Sequence, residues 1–217
     1  MSIEIKFCGL TRPEDAAEAV SLGAAYTGVI FAGGPRTLTA ERAAAVLMDV
    51  PATVSRVGVF AGQTADEIVR TAEMVGLAVA QLHEARTAAA IESLRRNFGG
   101  RVWAVVRLAS GRLPADIGDL LAAADAVVLD AYIPGALGGT GVALPWDELS
   151  QQLAELRGDH EIILAGGLRP ENVVRAIAAV APNVVDVSSG VERAPGIKDH
   201  QRMRDFRDAV ANASVQS

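Results

Sequence analysis

The chain has 217 residues and a mass of 22.5 kDa, with 50% apolar and 21% charged residues, which suits one compact domain large enough to bury a full core. Its 26 acidic and 20 basic side chains leave a net charge of −6, a balance that disfavours nucleic acid, whose phosphates call for a basic face. The start, Met1-Ser-Ile-Glu-Ile-Lys6, has no basic stretch leading into a long apolar run, nothing approaches the ~18 consecutive apolar residues of a membrane span, and the lone Cys8 excludes an internal disulfide.

A cytoplasmic protein is therefore expected, with neither secretion nor membrane insertion. His83, His160 and His200 show no metal-ligand spacing, so no metal is expected either.

Short β-branched runs alternate with Ala-rich, charged segments of helical period. In chain order, run 3–8 precedes helical pattern 12–22, 26–31 precedes 40–48, 54–60 precedes 65–75, and 77–83 precedes 87–98. Run 101–108 then precedes 115–124, 126–130 precedes 145–156, 161–165 precedes 170–180, and 184–187 precedes 199–211. Thr11 stands three residues ahead of Glu14, as an N-cap would, and Pro170 fits the first turn of a helix. The runs are apolar almost throughout, as parallel strands covered by helices on their outer face must be. Eight such units predict a closed (β/α)8 TIM barrel over residues 1–217 as a single domain, with an open doubly wound sheet as the other fold. The barrel is favoured by the count and by the Gly-rich or chemically loaded turns, all of which follow strands.

Cys8 closes the first run before Gly9, which puts its thiol at the mouth of a barrel with Lys6 one layer below on the same face. A small buried core cysteine is the plainer reading, and a catalytic one needs its pKa brought down by a cation or helix N-terminus. Asp130 closes the strongly apolar run 126–130. A carboxylate there is either held by amides or kept protonated by desolvation, which would make it a general acid.

Gly138-Gly139-Thr140-Gly141, Gly166-Gly167 and Ser188-Ser189-Gly190 follow the last three strands, where a barrel cradles phosphate in backbone amides. Arg36, among Gly33, Gly34 and Pro35, can fork onto a carboxylate, and His83 closes the fourth run at the mouth. Closure of the barrel would set Asp186 beside Lys6 as a buried ion bridge.

Taken together, Lys6-Phe-Cys-Gly-Leu-Thr11, Gly28-Val-Ile-Phe31, Pro35-Arg36, Val57-Gly-Val-Phe60, Gln81-Leu-His83, Leu129-Asp130, Gly138-Gly-Thr-Gly141, Leu164-Ala-Gly-Gly-Leu168 with Pro170-Glu-Asn172, and Val185-Asp-Val-Ser-Ser-Gly-Val-Glu192 resemble the phosphoribosylanthranilate isomerase family of tryptophan biosynthesis. The resemblance runs from the first strand to the eighth. It implies an Amadori rearrangement of a phosphorylated sugar-anthranilate substrate without metal or organic cofactor. By similarity, Asp130 would protonate the furanose ring oxygen and Cys8 would take the C2 proton. Arg36 would hold the anthranilate carboxylate, and Gly139, Gly141, Gly166, Gly167, Ser188, Ser189 and Gly190 would serve the phosphate, with His83 at the mouth. Where the family usually has Gly, Lys and Ser, this chain has Glu84, Val142 and Gly34. The first two changes make the mouth less cationic and are expected to bear on substrate affinity.

Three other readings stand beside this one. A related barrel of histidine biosynthesis runs an analogous sugar isomerisation, but expects Asp where Cys8 stands. A Schiff-base lyase needs a lysine in the barrel, and of Lys6 and Lys198, the only two, Lys6 is the candidate. A non-catalytic phosphate-ligand binding protein would bind without turnover. Oligomeric state is not legible in the sequence.

Overall fold

The computed structural model describes residues 3–83, 87–108, 112–130, 149–153, 158 and 160–215. Eight parallel strands, β1 (Glu4–Phe7), β2 (Tyr26–Ile30), β3 (Ser55–Phe60), β4 (Val79–Leu82), β5 (Arg101–Arg107), β6 (Ala126–Asp130), β7 (Ile162–Ala165) and β8 (Val184–Val187), pair in sequence order and close, β8 against β1, into a barrel. Around it run α1 (Pro13–Ser21), α2 (Ala40–Val46), α3 (Ala65–Val75), α4 (Ala88–Arg95), α5 (Ile117–Ala123), α6 (helical residues 149–153), α7 (Val173–Val180) and α8 (His200–Val215).

Two apolar layers follow from strand alternation. Ile5, Phe7, Leu82, Val127, Leu129, Val185 and Val187 face outward and pack with the helices, whereas Tyr26, Val57, Val79, Trp103, Val105, Val128, Ile163 and Val184 fill the barrel interior. Both faces of each strand are thus buried, which explains the continuous apolar runs. Helix ends carry local signals as well. Thr64 and Glu67 form a reciprocal capping box on α3, which ends at Gly76 in the left-handed region.

Some local readings need correction. The β1 ladder stops at Phe7, one residue before Cys8, although the Cys8 amide still donates to the Val187 carbonyl at 2.9 Å. Thr11 does not cap α1. The N-cap is Arg12, and the Thr11 hydroxyl donates to the Gly196 carbonyl instead. Pro170 lies ahead of α7, whose N-cap is Asn172. A short 3-10 turn, Ser189–Val191, and an antiparallel hairpin of β9 (Glu192–Ala194) and β10 (Ile197–Lys198) follow β8, and the helical and strand periodicities gave no sign of that hairpin. Its turn is Pro195-Gly196, with Gly196 at φ +78°. The hairpin is pinned to α1 by buried Asp15, which accepts from the Lys198 amide and from Arg12 and pairs with His200.

Candidate active site

Cys8, Asp130, His83, Gly166, Gly167, Ser188, Ser189 and Gly190 all border one cavity of about 260 Å³ at the C-terminal ends of the strands. Gly139 and Gly141, like Glu84 and Val142, lie outside the described residues. Arg36 does not line the cavity. Its side chain crosses Gly9 beside it, where an added Cβ would sit 2.7 Å from Arg36 Cδ and 2.9 Å from Ser188 Oγ. Gly9 therefore has two reasons to be glycine, that close approach and its φ of +70°.

The thiol sits in a recess cut for it. A Cβ at Gly28 on the neighbouring strand would lie 2.9 Å from Cys8 Sγ. One layer below, fully buried Lys6 donates to Asp186 Oδ2 at 2.7 Å, and its ammonium also interacts electrostatically with the Cys8 sulfur. The predicted bridge is thus present, with Lys6 and Asp186 as direct register partners across the β1–β8 closure. Burial works against the Lys6 ammonium, but Asp186 and the Cys8 sulfur outweigh it and hold its pKa above the ordinary lysine value. A lysine kept charged and locked to a carboxylate is no amine nucleophile, which removes the physical basis for a Schiff-base lyase at Lys6.

Burial raises the Cys8 pKa, and Asp186 adds to the rise while Lys6 and, less strongly, Lys198 oppose it. Burial also raises the Asp130 pKa, with Asp186 adding to it and His83 and Arg107 pulling the other way. Arg107 Nη2 donates to His83 Nε2, tying the ends of β4 and β5 together beside Asp130. The arrangement offers a carboxyl kept protonated beyond the usual carboxylate range and a thiol whose anion has a cation beneath it. These are the parts of an acid–base pair.

Three functional features escaped the sequence reading. Asp186 Oδ1 and Gln81 Oε1 are buried without a hydrogen-bond partner among the described residues, and both residues border the cavity. Glu192 takes the Arg36 guanidinium in a fork, Nε to Oε1 at 2.8 Å and Nη2 to Oε2 at 2.6 Å. Lys198, buried behind it, donates to Glu192 Oε1 at 2.9 Å. The Gln81-Leu-His83 stretch and the Pro195-Gly196 turn were the available signals, and neither revealed these contacts.

At the turns after β7 and β8, where the sequence leads one to expect a phosphate cradle, Gly166 and Gly167 adopt φ of +85° and +65°, and the 3-10 turn Ser189–Val191 presents first amides that no intrahelical carbonyl can accept. Gly190 is required by close approach, since a Cβ there would meet the Leu168 carbonyl oxygen at 1.8 Å. Gly190→Ala is therefore expected to force the β7 and β8 turns apart, at a cost of about 1–3 kcal/mol. Thermal unfolding will read this as a Tm several degrees lower, at ~2–4 °C per kcal/mol, and a titration with inorganic phosphate will show weaker binding. An unchanged Tm and phosphate affinity would mean the turns do not act together. Among the described residues, no three His, Cys, Asp or Glu gather as a metal site.

An eight-stranded parallel barrel with its reactive side chains collected at the C-terminal mouth is the architecture of a (β/α)8-barrel enzyme. The family model described as N-(5'phosphoribosyl)anthranilate (PRA) isomerase matches residues 5–209. The chain belongs to that family. It is 40% identical over 210 residues to the N-(5'-phosphoribosyl)anthranilate isomerase of Pseudomonas fluorescens (strain Pf0-1), covering 96% of this chain and 98% of the relative. The crystal structure of phosphoribosyl anthranilate isomerase from Thermotoga maritima superimposes with a TM-score of 0.87 at 31% identity, covering 97% of this chain and 99% of that one. A further phosphoribosyl anthranilate isomerase structure, in complex with reduced 1-(o-carboxyphenylamino)-1-deoxyribulose 5-phosphate, aligns with a TM-score of 0.83 at 29% identity over 97% of this chain and 99% of that one.

Proposed function

We propose that this protein isomerises N-(5'-phosphoribosyl)anthranilate to 1-(o-carboxyphenylamino)-1-deoxyribulose 5-phosphate in tryptophan biosynthesis, acting as one (β/α)8 domain in the cytoplasm. The observation that carries the reading is the meeting of Cys8, Asp130 and the late glycine turns on one cavity, in a chain of this family. No helix among the described residues is long and apolar enough to cross a membrane.

Asp130 donates a proton to the furanose ring oxygen as the C1–oxygen bond breaks, and the anthranilate nitrogen lone pair forms the Schiff base. The Cys8 thiolate, stabilised by the Lys6 ammonium beneath it, then removes the proton from C2 to give the enolamine, which tautomerises to the ketone. Ring opening and the proton transfers that follow leave the substrate with no net gain or loss of electrons, so the reading calls on no redox cofactor. The turns at Gly166-Gly167 and Ser188-Ser189-Gly190 hold the phosphate, with Gly139 and Gly141 expected to join them. Arg36 receives the carboxylate, and His83 sits at the mouth. The sugar hydroxyls supply the donors that Asp186 Oδ1 and Gln81 Oε1 lack. Binding at both ends positions C1 and C2 between acid and base, so that remote contacts lower the barrier at the reacting carbons.

The test is to follow the fluorescence of freshly made phosphoribosylanthranilate with the purified protein. Consumption at an enzymatic rate is expected. Tight binding of the reduced product analogue without any turnover would make this a ligand-binding barrel and overturn the reading.

A further inference from the structure

The Arg36 guanidinium, read above as the receiver of the substrate carboxylate, already holds a carboxylate of the protein. Its Nε and Nη2 donate to the two oxygens of Glu192, the bidentate geometry that best fixes a guanidinium plane. Glu192 is in turn held from behind. The Lys198 ammonium donates to Glu192 Oε1 at 2.9 Å, to the Cys8 carbonyl at 2.6 Å and to the Ser188 carbonyl at 3.0 Å. The Lys198 side chain is fully buried and that of Glu192 is 4% exposed, while the Arg36 side chain keeps 21% of its surface.

We propose that Glu192, anchored by Lys198, is the positioning residue of Arg36: it occupies the Nε–Nη2 edge and leaves the Nη1 side of the guanidinium to meet the anthranilate carboxylate. The proposal rests on the reading of Arg36 as the carboxylate receiver and deepens it.

Geometry and charge both support it. An arginine in a loop beside Gly33 and Gly34 has many rotamers to lose on binding, and a bidentate internal partner removes that loss before the substrate arrives. Lys198 donates to three acceptors, none of which carries a proton to give back. Three donors on one nitrogen require the ammonium form, even though desolvation draws the Lys198 pKa below the ordinary value. Arg36, Glu192 and Lys198 therefore sum to one net positive charge, the amount a single carboxylate neutralises. Without Lys198 the Arg36–Glu192 pair would be neutral and would offer an incoming anion little. Lys198 also ties the triad to the backbone of the base and of the phosphate turn, since Cys8 and Ser188 supply its other two acceptors. The place where the carboxylate docks is thereby held in register with the thiol and the phosphate site.

Two variants separate position from charge. Glu192→Asp keeps the net charge and shortens the arm by one methylene, whereas Glu192→Gln raises the net charge and weakens the fork. Calorimetric Kd values are to be measured for reduced 1-(o-carboxyphenylamino)-1-deoxyribulose 5-phosphate and for its counterpart lacking the ring carboxylate, on both variants, wild type and Arg36→Met. The expected result is at least tenfold weaker binding of the carboxylated ligand to both Glu192 variants, with the decarboxylated ligand unchanged within about twofold. Equal losses on both ligands would reduce Glu192 to a structural brace and overturn the proposal. Tighter binding of the carboxylated ligand to Glu192→Gln would show that charge alone matters and overturn it as well. Arg36→Met tells the two levels apart. If it discriminates between the ligands while the Glu192 variants do not, only the positioning role fails. If Arg36→Met does not discriminate either, the carboxylate reading of Arg36 fails and the proposal falls with it.

Discussion

Replacing Asp130 by Asn is expected to lower kcat by ~10²–10⁴-fold while changing the Kd of the reduced product analogue by less than about threefold. The substitution keeps the shape and hydrogen-bonding reach of the side chain and removes only the transferable proton. Asp130 ends β6 with its side chain turned into the mouth, and burial raises its pKa. The sign matters. A raised pKa keeps the acid form present at a higher pH than an ordinary carboxyl, and this fraction is lost as pH climbs through the raised value. His83 and Arg107 pull against that rise. Fluorescence turnover measures kcat and calorimetry measures Kd. A kcat within tenfold of wild type in Asp130→Asn would transfer the acid role to another group at the mouth.

How much of this was legible in the sequence depends on the range over which each signal acts. Short apolar β-branched runs and helical periodicity act over a few residues, so β6, β8 and α3 stand where those local signals place them and the eight barrel strands follow the eight runs. Barrel closure adds a long-range rule, because the first and last strands must be neighbours. That rule was enough to pair Lys6 with Asp186 across 180 residues. No comparable rule joins Arg36 to Glu192, 156 residues apart, because one lies in a loop and the other in a hairpin that follows the barrel. The hairpin strands have three and two residues, too short for periodicity to register. Gly28 was visible as a residue but not as a recess, since only strand register brings it against the Cys8 sulfur. Thr11 shows the reverse failure. It has the chemistry of a cap, and a tertiary acceptor, the Gly196 carbonyl, takes its hydroxyl away from the helix.

Cys8→Ser is expected to lower kcat by ~10²–10⁴-fold, because a hydroxyl gives up its proton far less readily than a thiol at the same position. The pH profile of the wild type carries the more specific expectation. Burial raises the Cys8 pKa, so the thiolate fraction grows about tenfold for each pH unit until that raised pKa is reached. The acid form of Asp130 shrinks by the same factor for each unit above its own pKa. Between the two pKa values these factors cancel, and the product of the fractions is flat. The acid limb of the activity profile is therefore expected to follow Asp130, and the alkaline limb Cys8, although the proposed working form has the thiol ionised and the carboxyl protonated. Cys8 is the sole cysteine, so its reaction with iodoacetamide across pH reads its ionisation without the contribution of Asp130. The alkylation midpoint is expected above the ordinary cysteine value of ~8.5 and in agreement with the alkaline limb of kcat/KM. A midpoint below ~8.5 would mean that the Lys6 ammonium outweighs burial, and the thiolate would then be standing in the free enzyme before substrate arrives.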